Sequence, residues 1–236
     1  RATALLLGLL TVAGCLVARV RSSAKLSVGV VSAAMGVVGV RLVGGALRGA
    51  LDTDGAIWEL AAVVVGLALI PAVFSEFEAK GKRVEEGSRP GSSRESAPAA
   101  CGAGLLIVVS TCALGGSHSL WPRLAGLIAI SVLMFRQAHL VARPTLAPLA
   151  AGLTGLGLAL FHGTKLETAA VRSALDPRLA LAILLAIAGA LLAFAVRSRG
   201  ELRRFALQAP AAFLVPLGVV LHEHVAFYEA FDPWLY

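Results

Sequence analysis

The chain has 236 residues, of which 58% are apolar and only 15% are charged, and its mean hydropathy is +0.83. A soluble domain has about 45–50% apolar and about 25% charged residues, so this chain has too few charges to cover a surface in water. Its net charge is +7, but the basic residues lie between apolar runs and do not form one stripe, which argues against a nucleic-acid partner. The composition excludes a typical cytosolic enzyme and a disordered tail, and it indicates an integral membrane protein.

Eight apolar runs are long enough to cross a bilayer core, which takes about 17 to 20 residues per helix. In chain order they are Ala2–Ala18, Leu26–Leu47, Ile57–Phe74, Ala99–Leu114, Leu124–Val141, Leu146–Phe161, Leu179–Val196 and Phe205–Leu221. The sequence therefore predicts an all-α, polytopic membrane helix bundle that forms a single domain over residues 1–236. Between the third and fourth spans, residues 76–98 are rich in charge, Ser, Gly and Pro, which predicts a flexible cytoplasmic linker.

The distribution of basic residues predicts the orientation of these spans. The loops after the first, third, fifth and seventh spans, together with Arg136 near the end of the fifth span, hold 14 Lys and Arg residues, and the opposite side holds six. Cytoplasmic loops carry the excess of Lys and Arg in multi-pass proteins. We therefore expect both termini on the non-cytoplasmic side, in a bacterial inner membrane or in a plasma or organelle membrane of a eukaryote.

On this topology most imidazoles and several carboxylates fall at the outer mouth of the bundle. Neutral imidazole and carboxylate groups suit zinc and other first-row divalent ions. The residues expected to capture cations there are His118, His162, Glu167, His222, Glu223 and His224. The alternative is a polar cap at the membrane surface, because residues i and i+2, such as His222 and His224, point about 200° apart on a helix.

Other kinds of chemistry find little support in the sequence. Ser117-His118-Ser119 has no evident third partner or oxyanion donor, and H-E-x-x-H is absent, so we do not expect an enzyme. A haem between two helices would need His residues at similar depth in the membrane, whereas only His139 lies towards the cytoplasmic side. We expect neither a haem nor a nucleotide. The three cysteines, Cys15, Cys101 and Cys112, form no C-x-x-C pair and are typical of small buried apolar residues.

Arg41 is a charged residue inside the second predicted span. An ionisable group within a membrane helix is energetically costly and is a candidate for function. Three interpretations remain open for Arg41: it extends outward to the interface, it pairs with Glu59 or Asp52, or it acts as a gating charge.

Several predicted helices contain segments rich in Gly and Ala, namely Thr11-Val12-Ala13-Gly14, Ala33-Ala34-Met35-Gly36-Val37, Val65-Gly66-Leu67 and Ala188-Gly189-Ala190-Leu191-Leu192. This pattern of small residues resembles that of the ZIP (ZRT/IRT-like) family of metal transporters. The resemblance implies eight spans, both termini outside, and a variable cytoplasmic loop between the third and fourth helices. It also implies transport or binding of zinc or another divalent cation.

The metal-ligand motifs of that family are not retained in this chain. The family carries H-N-x-x-[E/D]-G in the fourth helix and H-x-x-x-E in the fifth. The matching segments here read Ser110-Thr111-Cys112-Ala113-Leu114-Gly115 and Phe135-Arg136-Gln137-Ala138-His139. The resemblance then implies a metal site of His139 with Ser110 or Cys112.

Two functions follow from these observations. The first is a ZIP-like transporter or binder of a divalent cation. The alternative is a non-catalytic membrane subunit, an assembly factor or the membrane anchor of a sensory system. The expected partners are the lipid bilayer and either further copies of the chain or another membrane protein.

Overall fold

A computed structural model describes residues 2–51, 53–81, 93–114, 120–165 and 177–223. These residues form nine α-helices and contain no β-strand, so the predicted all-α membrane bundle is confirmed. The helices are α1 (Ala2–Val20), α2 (Ala24–Leu47), α3 (Asp54–Gly81), α4 (Ser93–Leu114), α5 (Trp121–Leu140), α6 (Leu146–Lys165), α7 (Pro177–Arg197), α8 (Gly200–Ala206) and α9 (Ala209–Glu223).

Five of these helices, α1 to α5, are long and apolar enough to cross a membrane, and α6 and α7 contain the shorter apolar stretches Leu146–Phe161 and Leu185–Arg197. Large apolar side chains on α1 point away from the protein: Leu5 is 71% and Leu9 is 69% exposed. Such a surface suits contact with lipid, where apolar groups need no burial inside the protein. The chain is an integral membrane protein. The number of eight spans and the side on which the termini lie stay predictions.

The centre of the bundle is α4, which packs against α2, α3, α5 and α6, while α6 also packs closely along α9. Leu105 of α4 and Leu127 and Ile130 of α5 are completely buried there. Small residues allow the helices to approach. A Cβ added at Gly155 of α6 would collide with the backbone carbonyl of Phe213 in α9.

Polar contacts show which helix ends lie together. Ser27 and Ser96, near the starts of α2 and α4, are hydrogen-bonded at 2.7 Å, and Arg136 near the end of α5 meets Glu76 near the end of α3 at 3.0 Å. We name this the inner end of the bundle. At the opposite, outer end, Arg123 at the start of α5 reaches Thr111 near the end of α4. These contacts agree with helices that alternate in direction.

The structure shortens the segment expected to be a linker. Residues 76–81 continue α3 and residues 93–98 belong to α4, while residues 82–92 lie outside the described part of the chain. The physical reason is that these extra turns face the bundle: the polar side chains of Glu78 and Ser96 are buried, as is Ala97. Hydropathy alone assigns such residues to solvent.

The last predicted span, Phe205–Leu221, is divided between two helices. Phe205 belongs to the short α8, and α9 begins after Leu207 and Gln208. Pro210 has no N–H to donate to Ala206, so it favours a new helix start at this point over one continuous helix.

Candidate functional site

The structure does not bring the three predicted metal ligands together. Ser110 and Cys112 lie near the outer end of α4, beside Thr111, whose carbonyl oxygen accepts a hydrogen bond from Arg123 Nε at 3.1 Å. His139 follows Arg123 by 16 residues on α5, which is about 24 Å along a helix axis. His139 is therefore at the inner end, on the opposite side of the bundle.

Ser110 and Cys112 instead contact carbonyls of their own helix. Ser110 Oγ donates to the Leu106 carbonyl at 2.8 Å, and Cys112 Sγ to the Val108 carbonyl at 3.5 Å. Such bonds to the preceding turn satisfy polar side chains within a membrane helix. Throughout the described ranges, no three His, Cys, Asp or Glu side chains form a group that could hold a metal ion.

The residues predicted to capture cations at the outer mouth fall partly outside the described chain. His118, Glu167 and His224 lie outside it. His162 lies near the end of α6, and His222 and Glu223 lie at the end of α9, the helix that packs along α6. Their capture role stays a prediction.

A buried polar cluster at the inner end went unnoticed in the sequence. It joins Ser27 of α2 and Ser96 of α4, both completely buried, and Cys15 of α1 lies close to Ser27. Glu78 of α3 is 9% exposed and lies within electrostatic reach of Cys15.

A second buried pair joins α3 to α5 at the same end. Ser75 Oγ donates to Gln137 Oε1 at 3.1 Å, and the two side chains are 1% and 0% exposed. Half-way along α5, Ser131 and Thr154 of α6 share a hydrogen bond of 2.6 Å. These contacts tie neighbouring helices together.

Arg123 is the largest fully buried side chain of the described residues, although hydropathy assigns it to an outer loop. Its guanidinium stacks 5.2 Å from the centre of the Phe161 ring, and Asp54 and Cys112 lie within its electrostatic reach. A buried guanidinium that contacts a carbonyl and an aromatic ring, and that lies within electrostatic reach of a carboxylate, connects the outer ends of α3, α4, α5 and α6. We interpret Arg123 as a structural residue that holds these helix ends together.

His139 lies in a different environment, a cavity of about 560 Å³ at the inner end. The cavity is bounded by the end of α5, the turn into α6, the end of α7 and the start of α8. Its charged and titratable lining residues are Arg136, His139, Arg197, Arg199 and Glu201. The ring centres of Phe135 and Phe194 are 4.9 Å apart and hold α5 and α7 together along one wall.

The turn between α7 and α8 positions the arginines of this cavity. Gly200 has a φ of +60°, a left-handed conformation that residues with a side chain adopt at a cost. Glu201 and Leu202 of α8, which follow this turn, line the cavity together with Arg197 and Arg199. Ser198 Oγ donates to the Phe194 carbonyl at 2.8 Å and closes the last turn of α7.

The electrostatic balance of the cavity favours anions. Three guanidinium groups face one carboxylate, and Arg197 and Arg199 are exposed to the cavity and to solvent. Arg136 Nε also donates to Glu76 at 3.0 Å, in an ion pair that is half exposed. Guanidinium groups bind planar or tetrahedral oxyanions through paired hydrogen bonds, whereas a divalent cation beside them would be repelled.

No family model, no curated protein and no solved structure matches this chain.

Proposed function

We propose that this integral membrane protein binds a small oxyanion of the phosphate type in the basic cavity at its inner end. The observation that carries the proposal is the convergence of Arg136, Arg197 and Arg199 on one cavity. The volume, about 560 Å³, falls within the range of about 300–1,000 Å³ that is usual for small-ligand sites. The positive-inside rule places this end on the cytoplasmic side.

The same cavity argues against His139 as the inner ligand of a divalent cation. The imidazole shares its surroundings with the three guanidinium groups, and their combined field lowers the local concentration of cations. Transport of zinc or another divalent cation, and the resemblance to the ZIP family, stay predictions. An anion-binding role agrees better with the alternative from the sequence, a non-catalytic membrane subunit or a sensory membrane anchor.

Calorimetric titration of the purified protein in neutral detergent with inorganic phosphate tests the proposal. The informative variant is R197Q/R199Q, which removes two cavity charges. Its matched control is R203Q/R204Q, which removes the same charge from exposed positions on α8 that do not line the cavity. We expect the control to bind phosphate as the unchanged protein does.

Each cavity arginine contributes roughly 1 kcal/mol to binding of an anion at a membrane surface, so R197Q/R199Q should bind phosphate about 30-fold more weakly. Equal phosphate affinity in all three proteins would refute the cavity as an anion site. Titration with zinc under the same conditions provides the competing arm. Tight zinc binding that is lost in His139→Ala would favour the cation carrier instead.

A further inference from the structure

An apolar groove adjoins the basic cavity and extends from it towards the middle of the bilayer. It has a volume of about 550 Å³ and lies between α5 and α6 on one side and α7 and α9 on the other. Phe135, Arg136 and Phe194 line both the groove and the cavity, so the two spaces are neighbours that share a wall. A ligand with a head group in the cavity and a chain in the groove would pass beside these three residues.

Small and exposed side chains create this groove. Ala186 and Ala190 are one turn apart on α7 and face it, and Val132 of α5, which is 60% exposed, opens it sideways to the lipid. From Ile128 to Phe135 the groove follows α5 for about 10 Å. One leaflet contributes about 15 Å of the hydrocarbon core, so the groove covers much of the depth of one leaflet.

We infer that the occupant is an anionic phospholipid of the inner leaflet, whose phosphate lies among the cavity arginines and one of whose acyl chains lies in the groove. Basic pockets between membrane helices on the cytoplasmic side bind the head groups of anionic lipids. A soluble anion would occupy only the cavity, whereas an acyl chain suits the groove, because the lining of the groove is almost entirely apolar. This inference rests on the proposed anion site and names the molecule that it binds.

The test compares lipid retention with phosphate binding. The protein is purified in neutral detergent with added phosphatidylglycerol or phosphatidylcholine, and the lipids retained per chain are counted by native mass spectrometry. Ala190→Phe fills the groove. Ala193→Phe is its matched control, because Ala193 lies on the same helix, is exposed and does not line the groove.

We expect the unchanged protein and Ala193→Phe to retain one phosphatidylglycerol in preference to phosphatidylcholine. Ala190→Phe should lose this lipid at least 10-fold while binding inorganic phosphate normally, and R197Q/R199Q should lose both ligands. Equal retention of the two lipids, or full retention in Ala190→Phe, would overturn the lipid inference and leave the anion site standing. If neither ligand depends on Arg197 and Arg199, both proposals fail.

Discussion

Polar side chains have different roles in the core, which α2 to α6 form, and in the flank, which α7 and α8 form. In the core, Ser27 bonds to Ser96, Ser75 to Gln137 and Ser131 to Thr154, so these six side chains hold neighbouring helices together. On the flank, Arg197 and Arg199 face a cavity.

The closeness of helix packing also differs between the core and the flank. Gly155 of α6 lies against the backbone of α9, whereas Gly189 of α7 has open space around the position of its missing Cβ. In lipid, helices associate through close packing and interhelical hydrogen bonds and not through the hydrophobic effect. A helix that lacks both features is free to leave a groove beside it. We therefore expect core substitutions to change stability and flank substitutions to change binding.

The largest expected effect comes from Arg123→Ala. This change removes the hydrogen bond to Thr111 and the stacking on Phe161, and it should lower the free energy of unfolding by about 3 kcal/mol. The measurement is unfolding in mixed micelles. Arg197→Ala on the flank is the comparison and should leave the unfolding free energy within about 0.5 kcal/mol of the original. A similar loss in both variants would remove the distinction between core and flank.

The next effect concerns the contact between α6 and α9. Gly155→Ala places a methyl group against the Phe213 backbone and should cost about 2 kcal/mol, since overpacking of a rigid interface typically costs about 1–3 kcal/mol. Gly152→Ala on the same interface would meet its nearest atom, the Ala212 carbonyl oxygen, at 3.6 Å, which is ordinary contact. It should be nearly neutral, as should Gly189→Ala on α7. Equal melting temperatures for all three variants would contradict the close approach.

A smaller effect is expected at the inner end. Ser75→Ala leaves the buried Gln137 amide without its hydroxyl donor and should cost about 1–2 kcal/mol. Replacing both partners, as Ser75→Ala with Gln137→Leu, should recover most of that loss, because no buried polar group then remains unsatisfied. Additive losses in the double variant would show that the pair is not a linked unit.

The smallest effect is the coupling between Ser131 and Thr154. A double-mutant cycle of Ser131→Ala and Thr154→Val should give an interaction energy of about 0.6 kcal/mol, the usual value for interhelical hydrogen bonds in a bilayer. Both residues also line the apolar groove. A coupling above about 2 kcal/mol would indicate that this pair, and not Arg123, organises the core.

Composition and apolar run length were enough to predict the helix bundle and the approximate position of each helix. They could not predict that α3 continues through Glu78 or that Arg123 is buried, because both depend on partners that other helices supply. The distribution of basic residues predicts the side of the membrane on which each loop lies. It does not predict that Arg136 and Arg197 line the same cavity, because this depends on how α5 lies beside α7.

The sign of the charge that the cavity attracts is tested most directly at Glu201, the carboxylate that lines the cavity together with its arginines. The measurement is the affinity for inorganic phosphate in Glu201→Gln, with the unchanged protein as reference. Removing one negative charge close to the ligand should tighten phosphate binding by about fivefold, and more at low salt. Weaker phosphate binding in Glu201→Gln than in the unchanged protein would contradict an oxyanion site at the inner end. Zinc binding that the unchanged protein shows and Glu201→Gln loses would contradict it as well.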